Sequence, residues 1–393
     1  MSAGVSDPEK AASEKARGRR GAADPAQARA EVPGHLREQA AAAAEPGRVV
    51  RPPVAAGESK CINLALQGGG SHGAFTWGVL DRLLDDDRID FDSLCGTSAG
   101  AMNAAVFATG WAEDGRAGAK RRLERFWNRI ADVGSFSPIQ RTVVDTLMGN
   151  WRIDTSPGYL AADLMGRVLS PYQTNPLNLN PLRGILEEVV DIDLVRRASG
   201  LKLFLCATSV HTGKVKVFDN DELSLDAVLA SACLPFLFQA IEIGGEHYWD
   251  GGYMGNPALF PLAYSSDCRD VVIVQINPLH RPEVPKTAQE ILDRVNEITF
   301  NSSLMREMRA VHFVNRLIAG GKLDPEAYRI TRIHMIDGGA DMAALHASSK
   351  INPERLFLHH LRDIGRRVAG EWIEAHLACV GVESSVDVRA TFL

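Results

Sequence analysis

The stretch Phe91-Asp92-Ser93-Leu94-Cys95-Gly96-Thr97-Ser98-Ala99-Gly100, followed at once by Ala101-Met102-Asn103-Ala104-Ala105-Val106, decides the fold. A short apolar run ends in Gly-x-Ser-x-Gly and gives way to small residues, which is the order strand, very tight turn, helix. The glycines on either side of Ser98 let the backbone turn without a Cβ clash and let the helix start close to the sheet. A serine at the apex of such a turn holds its hydroxyl exposed. The first N–H groups of the helix lie free beside it and favour negative charge there. Ser98 therefore reads as a nucleophile. On these five residues alone, a plain turn between a buried strand and helix is the competing reading.

Upstream, Cys61-Ile62-Asn63-Leu64-Ala65-Leu66-Gln67 reads as a buried strand and is followed by Gly68-Gly69-Gly70-Ser71-His72-Gly73. Apolar residues at Phe75, Val79, Leu80, Leu83 and Leu84 then have helical spacing. Strand, glycine loop, helix and the Ser98 strand make a right-handed βαβ unit, which implies a parallel sheet. The loop has two readings. Gly68-x-Gly70-x-x-Gly73, with Asp90 and Asp92 further on, fits a dinucleotide-binding fingerprint. Against it, the second strand runs through Leu94 and Cys95 straight into the serine turn instead of ending on an acidic residue. The other reading is an oxyanion hole. Consecutive glycines leave backbone N–H groups unshielded, and two glycine motifs at the ends of successive strands favour one shared site.

Downstream, Leu201–Val210 and Lys214–Phe218 read as strands and Leu225–Cys233 as a short helix. Ile241–Trp249 is a hairpin around Gly244-Gly245 that delivers Asp250-Gly251-Gly252. Asp250, at a strand terminus, is the second residue singled out, although Asp-Gly-Gly is also an ordinary turn. Asp270–Ile276 is a further strand. Thr287–Ala319 has helical spacing through Ile291, Val295, Ile298, Met305, Met308 and Val311, and is expected to face the core. Tyr328–Ile336 alternates as a last strand. Arg355–Leu377 is a closing helix with Arg362, Arg366 and Arg367 on a solvated face. The proline-interrupted segment about 135–181 reads either as a lid-like insertion or as connecting structure. Residues 1–58 carry almost no large apolar side chains and are expected to form a disordered arm. The division expected is that arm, an α/β core over 59–280, and a mainly helical extension over 281–393 packed on the core.

Composition narrows the function classes. The 393 residues are 45% hydrophobic and 23% charged, enough to form a sizeable core. A net charge of −6 gives no support to nucleic-acid binding or to strong attachment to an anionic membrane. Cysteines at 61, 95, 206, 233, 268 and 379 form no Cys-x-x-Cys, so they read as free thiols rather than a zinc ribbon or disulfide scaffold. No apolar run approaches the roughly 20 residues of a bilayer span, and no signal peptide is seen, so a cytoplasmic protein is expected.

These motifs together resemble the patatin-like phospholipase family. The matching pieces are Gly68 to Gly73, the elbow Gly96 to Gly100, Asp250-Gly251-Gly252, and Ser231-Ala232-Cys233-Leu234-Pro235-Phe236-Leu237-Phe238. The resemblance implies a three-layer α/β/α fold with a mostly parallel central sheet, and a Ser–Asp hydrolase that needs no metal or cofactor. Ser98 would be the nucleophile and Asp250 its general base, with the Gly69 and Gly70 amides as the oxyanion hole. Gly68, Gly73, Gly96, Gly100, Gly251 and Gly252 complete the motifs. The implied substrate is a lipid or other acyl ester, which would bring peripheral contact with a lipid surface; the oligomeric state is left open. Many members have Arg or Lys where this chain has His72, and a neutral imidazole supplies less positive charge. The alternatives are a Ser–Asp–His esterase or polyester depolymerase using His280, and a catalytically idle regulatory protein.

Overall fold

In the computed structural model, which describes residues 59–393 apart from 138, 282, 325 and 326, the strands carry a core on each face of one sheet. The chain runs through β1 (Lys60–Leu66), α1 (Gly73–Leu83), β2 (Ile89–Thr97) and α2 (Ala99–Gly134). Non-helical backbone at Asp114 and Gly115 breaks α2. Five shorter helices follow: α3 (Val143–Leu147), α4 (Pro157–Val168), α5 (Pro171–Thr174), α6 (Pro181–Val189) and α7 (Ile192–Ala198). Next come β3 (Lys202–Ser209), β4 (Val215–Phe218), α8 (Leu225–Ser231), β5 (Ile241–Ile243) and β6 (Glu246–Asp250). The remainder is α9 (Phe260–Ser265), β7 (Asp270–Gln275), α10 (Ala288–Ala319), β8 (Arg332–Asp337), α11 (Gly339–Ala343), α12 (Arg355–His376) and α13 (Val388–Phe392). The arm expected over 1–58 lies outside the described residues.

The sheet order is β5-β6-β3-β2-β1-β7-β8, with β4 also paired to β3. Strands β1, β2, β3, β7 and β8 are parallel, while β4, β5 and β6 join antiparallel. Side chains alternate between the faces of a strand, and here the alternation divides the core in two. Leu64, Leu66, Leu94, Leu203, Leu205, Val272 and Val274 point to the face covered by α1, α2, α6, α8 and α12. Ala65, Cys95, Phe204, Cys206, Val271 and Ile273 point to the other, covered by Leu262 of α9, Leu304 and Met308 of α10, and Phe392 of α13. Helices thus flank a mostly parallel sheet on both sides.

Three expectations change. The segment after 280 supplies β8, which pairs with β7 in the central sheet, so the boundary placed at 280 cuts through one sheet. Only the second half of α10 faces the core: Leu304 and Met308 are buried, whereas Ile291, Val295 and Ile298 are exposed. Helical spacing identifies an apolar stripe but not what covers it. Two of the α12 arginines are not on a solvated face. Arg366 bonds Asp81 and Asp85, and the Arg362 guanidinium lies 5.2 Å from the Trp77 ring centroid. Glycines bring α12 onto α1, since a Cβ on Gly78 would come within 1.9 Å of Arg362 O.

Candidate active site

Ser98 closes β2 and caps α2 with φ 55 and ψ −124, a positive φ that serine rarely adopts. Close packing imposes the turn: a Cβ on Gly96 would lie 2.5 Å from Gly100 O, and one on Gly100 would lie 2.2 Å from Leu66 O. The Ser98 N–H donates to Ser231 Oγ at 3.0 Å, and the Ser231 hydroxyl donates to Cys206 O at 2.6 Å. Thr97 Oγ1 donates to Gly255 O at 2.5 Å. The elbow is therefore held from α8, β3 and the segment after β6 at once.

Asp250 ends β6, opposite Ala207 of β3. Its N–H donates to Cys233 O at 2.8 Å, its carbonyl accepts from Thr208 Oγ1 at 2.8 Å, and Oδ1 accepts from the Gly252 N–H at 2.7 Å. The side chain is completely buried and Oδ2 has no hydrogen-bond partner. Burial pushes this carboxyl up to about 7, against the Gly252 N–H and the adjacent Ser98 hydroxyl, which pull it down. The structure thus brings Ser98 and Asp250 together with no aligned hydrogen bond between them. Gly251 and Gly252 admit no side chain: a Cβ would lie 2.1 Å from Cys206 O in the first case and 2.3 Å from Phe300 Cε1 in the second.

The glycine loop sits on the elbow. A Cβ on Gly68 would be 2.5 Å from Ser98 Cβ, and one on Gly73 would be 2.6 Å from Ala99 Cβ. The Gly68 N–H is occupied, donating to Asn256 Oδ1 at 2.7 Å. Among the described residues, the Gly69 and Gly70 N–H groups donate to no protein acceptor. Gly69 packs against Ile276, and Gly70 turns the loop with φ 58. Gln67 anchors the loop from below, its Oε1 accepting the Ile276 and Asn277 N–H groups at 2.9 and 3.0 Å.

His72 is buried away from this chemistry. Ser349 Oγ donates to His346 O at 2.6 Å, so at its 2.7 Å contact with His72 Nε2 it accepts, which assigns the ring proton to Nε2. Burial first, then Lys350 and Arg281, hold its pKa well below the usual value, so the imidazole is neutral. The dinucleotide reading fails on geometry. Asp90 pairs in register with Cys61 near the start of β1, whereas Leu66, next to the loop, pairs with Gly96. Asp90 and Asp92 therefore lie toward the opposite end of the sheet. His280 is exposed, and among the described residues no histidine bonds Ser98 or Asp250.

Two surface cavities, of about 430 Å³ beside Arg141 and Glu354 and about 250 Å³ beside Arg281 and His346, touch neither Ser98 nor Asp250. Residues whose place in the site was not legible in the sequence are Ser231, Asn277 and Gln67. Ser231 stood in a quoted motif, but its bond to the Ser98 amide spans more than a hundred positions. Ser231→Ala leaves the buried Ser98 N–H without its acceptor and is expected to cost about 1–3 kcal/mol of stability. Loosening the elbow should also lower kcat about tenfold. Thermal unfolding and ester hydrolysis check the pair of effects.

No curated protein matches the chain. VipD from Legionella pneumophila is similar at 16% identity and a TM-score of 0.41, with 86% of this chain and 73% of that chain covered. A chain of the ExoU–SpcU complex from Pseudomonas aeruginosa is similar at 16% identity and a TM-score of 0.34, covering 82% of this chain and 52% of that one, so this chain spans about half its length. The family model for patatin-like phospholipase matches residues 64–263, from β1 through the glycine loop, elbow and Asp250 to α9. With half of its length under that model, the chain belongs to the patatin-like phospholipase family.

Proposed function

We propose that the protein is a serine lipid acyl hydrolase, of phospholipase A, lysophospholipase or esterase type, working through a Ser98–Asp250 dyad. The observation that carries this reading is the buried Asp250 carboxylate, with one oxygen unbonded, next to a serine held at positive φ. Asp250 accepts the Ser98 proton as Ser98 Oγ attacks the ester carbonyl carbon. The Gly69 and Gly70 amides receive the oxyanion, and the C–O bond breaks as Asp250 returns its proton to the leaving alcohol. Water, giving its proton to the same carboxylate, then attacks the acyl-enzyme and releases the acid as Ser98 is reprotonated. A carboxyl poised near neutrality is a better matched base for a hydroxyl than an ordinary aspartate of pKa about 3.9. The experiment is fatty-acid release from phosphatidylcholine vesicles and hydrolysis of a soluble p-nitrophenyl ester by wild type and Ser98→Ala. Activity of the wild type alone supports the reading. Equal activity of both, or none in either, contradicts it.

The surroundings of the site suit a lipid interface. Leu160, Leu164 and Val168 form an exposed face of α4, and Ile291, Val295 and Ile298 an exposed face of α10. The α10 helix touches the site directly, and α4 leads to it through the following turn. Gln239 and Ala240, which follow the Ser231–Phe238 motif, bond Asn175 and Tyr172 beyond α4, and Phe300 of α10 packs on Gly252. Burying each such side chain in lipid is worth about 2 kcal/mol. No helix among the described residues is long and apolar enough to cross a membrane, so any contact through these faces is peripheral. The wild type is expected to float with phosphatidylcholine vesicles. Leu164→Asp with Val168→Asp should sink while keeping its activity on the soluble ester. Failure of the wild type to float would remove the lipid-surface reading.

A further inference from the structure

The carbonyl of Gly68 and the N–H of Gly69 are the two ends of one trans peptide, so whatever holds the first aims the second. Asn277, just beyond β7, holds it. Its Nδ2 donates to Gly68 O at 2.9 Å and to Gln67 Oε1 at 3.3 Å. The oxygen of the same side-chain amide, Oδ1, accepts from Lys350 Nζ at 2.7 Å. Lys350 is seated on the loop by its own backbone, since a Cβ on Gly70 would come within 2.2 Å of Lys350 O. Its neighbour Ser349 accepts from His72, so the 347–351 turn touches the loop at two points.

These contacts form one directional series. Burial lowers the pKa of Lys350, while the Glu297 and Asp293 carboxylates favour its charged form. As an ammonium it donates to the Asn277 amide, which donates to the Gly68–Gly69 peptide, whose far end is the Gly69 N–H. Amides bonded in series polarise one another, and a cation at the head strengthens every donor behind it. A carbonyl that accepts such a bond makes its own peptide N–H more acidic. The charge that a neutral His72 withholds from the loop is thereby delivered by a residue nearly three hundred positions away.

We propose that Asn277 and Lys350 are positioning residues for the oxyanion hole, Asn277 aiming the Gly69 N–H and Lys350 polarising it through the Asn277 amide. This rests on the reading of Ser98 as nucleophile and Gly69 as oxyanion donor. A purely structural clamp makes a different prediction, because it does not require the charge.

The test uses the full chain and a soluble p-nitrophenyl ester, together with the infrared band of the acyl-enzyme carbonyl. Lys350→Met keeps the aliphatic stem and is expected to lower kcat about tenfold, with KM within about twofold. Lys350→Arg restores most of the loss, and Asn277→Leu lowers kcat about a hundredfold. In Lys350→Met the acyl carbonyl band moves to higher frequency, reporting weaker hydrogen bonding to that oxygen. Should Lys350→Met not fold, Lys350→Gln carries the same band measurement, since it removes the charge but retains a donor. A wild-type kcat or an unshifted band in a folded charge-free variant overturns the relay while leaving the dyad standing. A wild type that neither hydrolyses the ester nor reacts with a phosphonate overturns the underlying reading as well.

Discussion

Ser98→Ala abolishes ester hydrolysis, by about 10⁴-fold or more, and leaves the protein folded. The size of the loss follows from the role: Ala has no oxygen to form the acyl-enzyme, so only the bare hole and the substrate-binding surface remain. The fold tolerates the change because the Ser98 contact that anchors the elbow is its backbone N–H, bonded to Ser231, rather than its hydroxyl. Thermal unfolding of the variant should therefore track wild type. Ser98→Gly should be equally inactive yet more stable, by about 1 kcal/mol, because glycine adopts the positive φ without strain. Residual turnover in Ser98→Ala above a mock purification would assign the chemistry to another residue.

Asp250→Asn has the second large effect, and its two consequences carry opposite signs. Without a base, kcat/KM falls about 10³-fold or more. Stability moves the other way in alkaline buffer. The folded-state pKa, about 7, lies above the unfolded value of 3.8, so folding takes up a proton between those values. Stability from this group is complete below the unfolded pKa and is lost as pH rises through about 7. Ionising the buried carboxylate costs at most about 4 kcal/mol, and Asn escapes that cost while leaving one amide group poorly bonded. A net gain of about 1–3 kcal/mol is expected at about pH 8, closing toward pH 4. Glu307 is also raised to about 7 by burial, with only the Leu259 and Phe260 N–H groups drawing it down. The wild type therefore loses stability from both groups over one range, and the difference between wild type and Asp250→Asn isolates Asp250. Wild-type kcat/KM should rise through about pH 7 as the base ionises. Equal stability of the two proteins at alkaline pH would show that Asp250 is not the strained carboxylate described.

Much of this arrangement was legible because its signals are local. The strand, glycine loop and helix from Cys61 to Leu84 and the elbow around Ser98 each lie within a few residues, and their periods and glycines dictate backbone geometry. The parallel pairing of β1 with β2 follows from the crossover between them. Asp250 was visible as the acid that a hairpin leaves at a strand end. What was not legible depends on distant polar residues with no periodic signature. Ser231, Asn277 and Lys350 reach the site by hydrogen bonds to backbone or to one another across the ends of strands. The exposed half of α10 was misassigned because an apolar stripe has the same spacing whether a core or solvent lies opposite. Arg366 was misassigned for the converse reason: its carboxylate partners, Asp81 and Asp85, stand far away in sequence.

The most direct measurement of the dyad is the rate and site of reaction with a serine-directed phosphonate, followed by intact mass and peptide mapping. Phosphonylation forms the Ser98 Oγ–P bond, expels the leaving group and needs the same base as acylation, without product release or lipid binding. One adduct on Ser98 in wild type is predicted, slowed about a hundredfold or more in Asp250→Asn and unchanged in His280→Ala. An adduct on a different serine, or labelling lost in His280→Ala and retained in Asp250→Asn, would contradict the Ser98–Asp250 assignment.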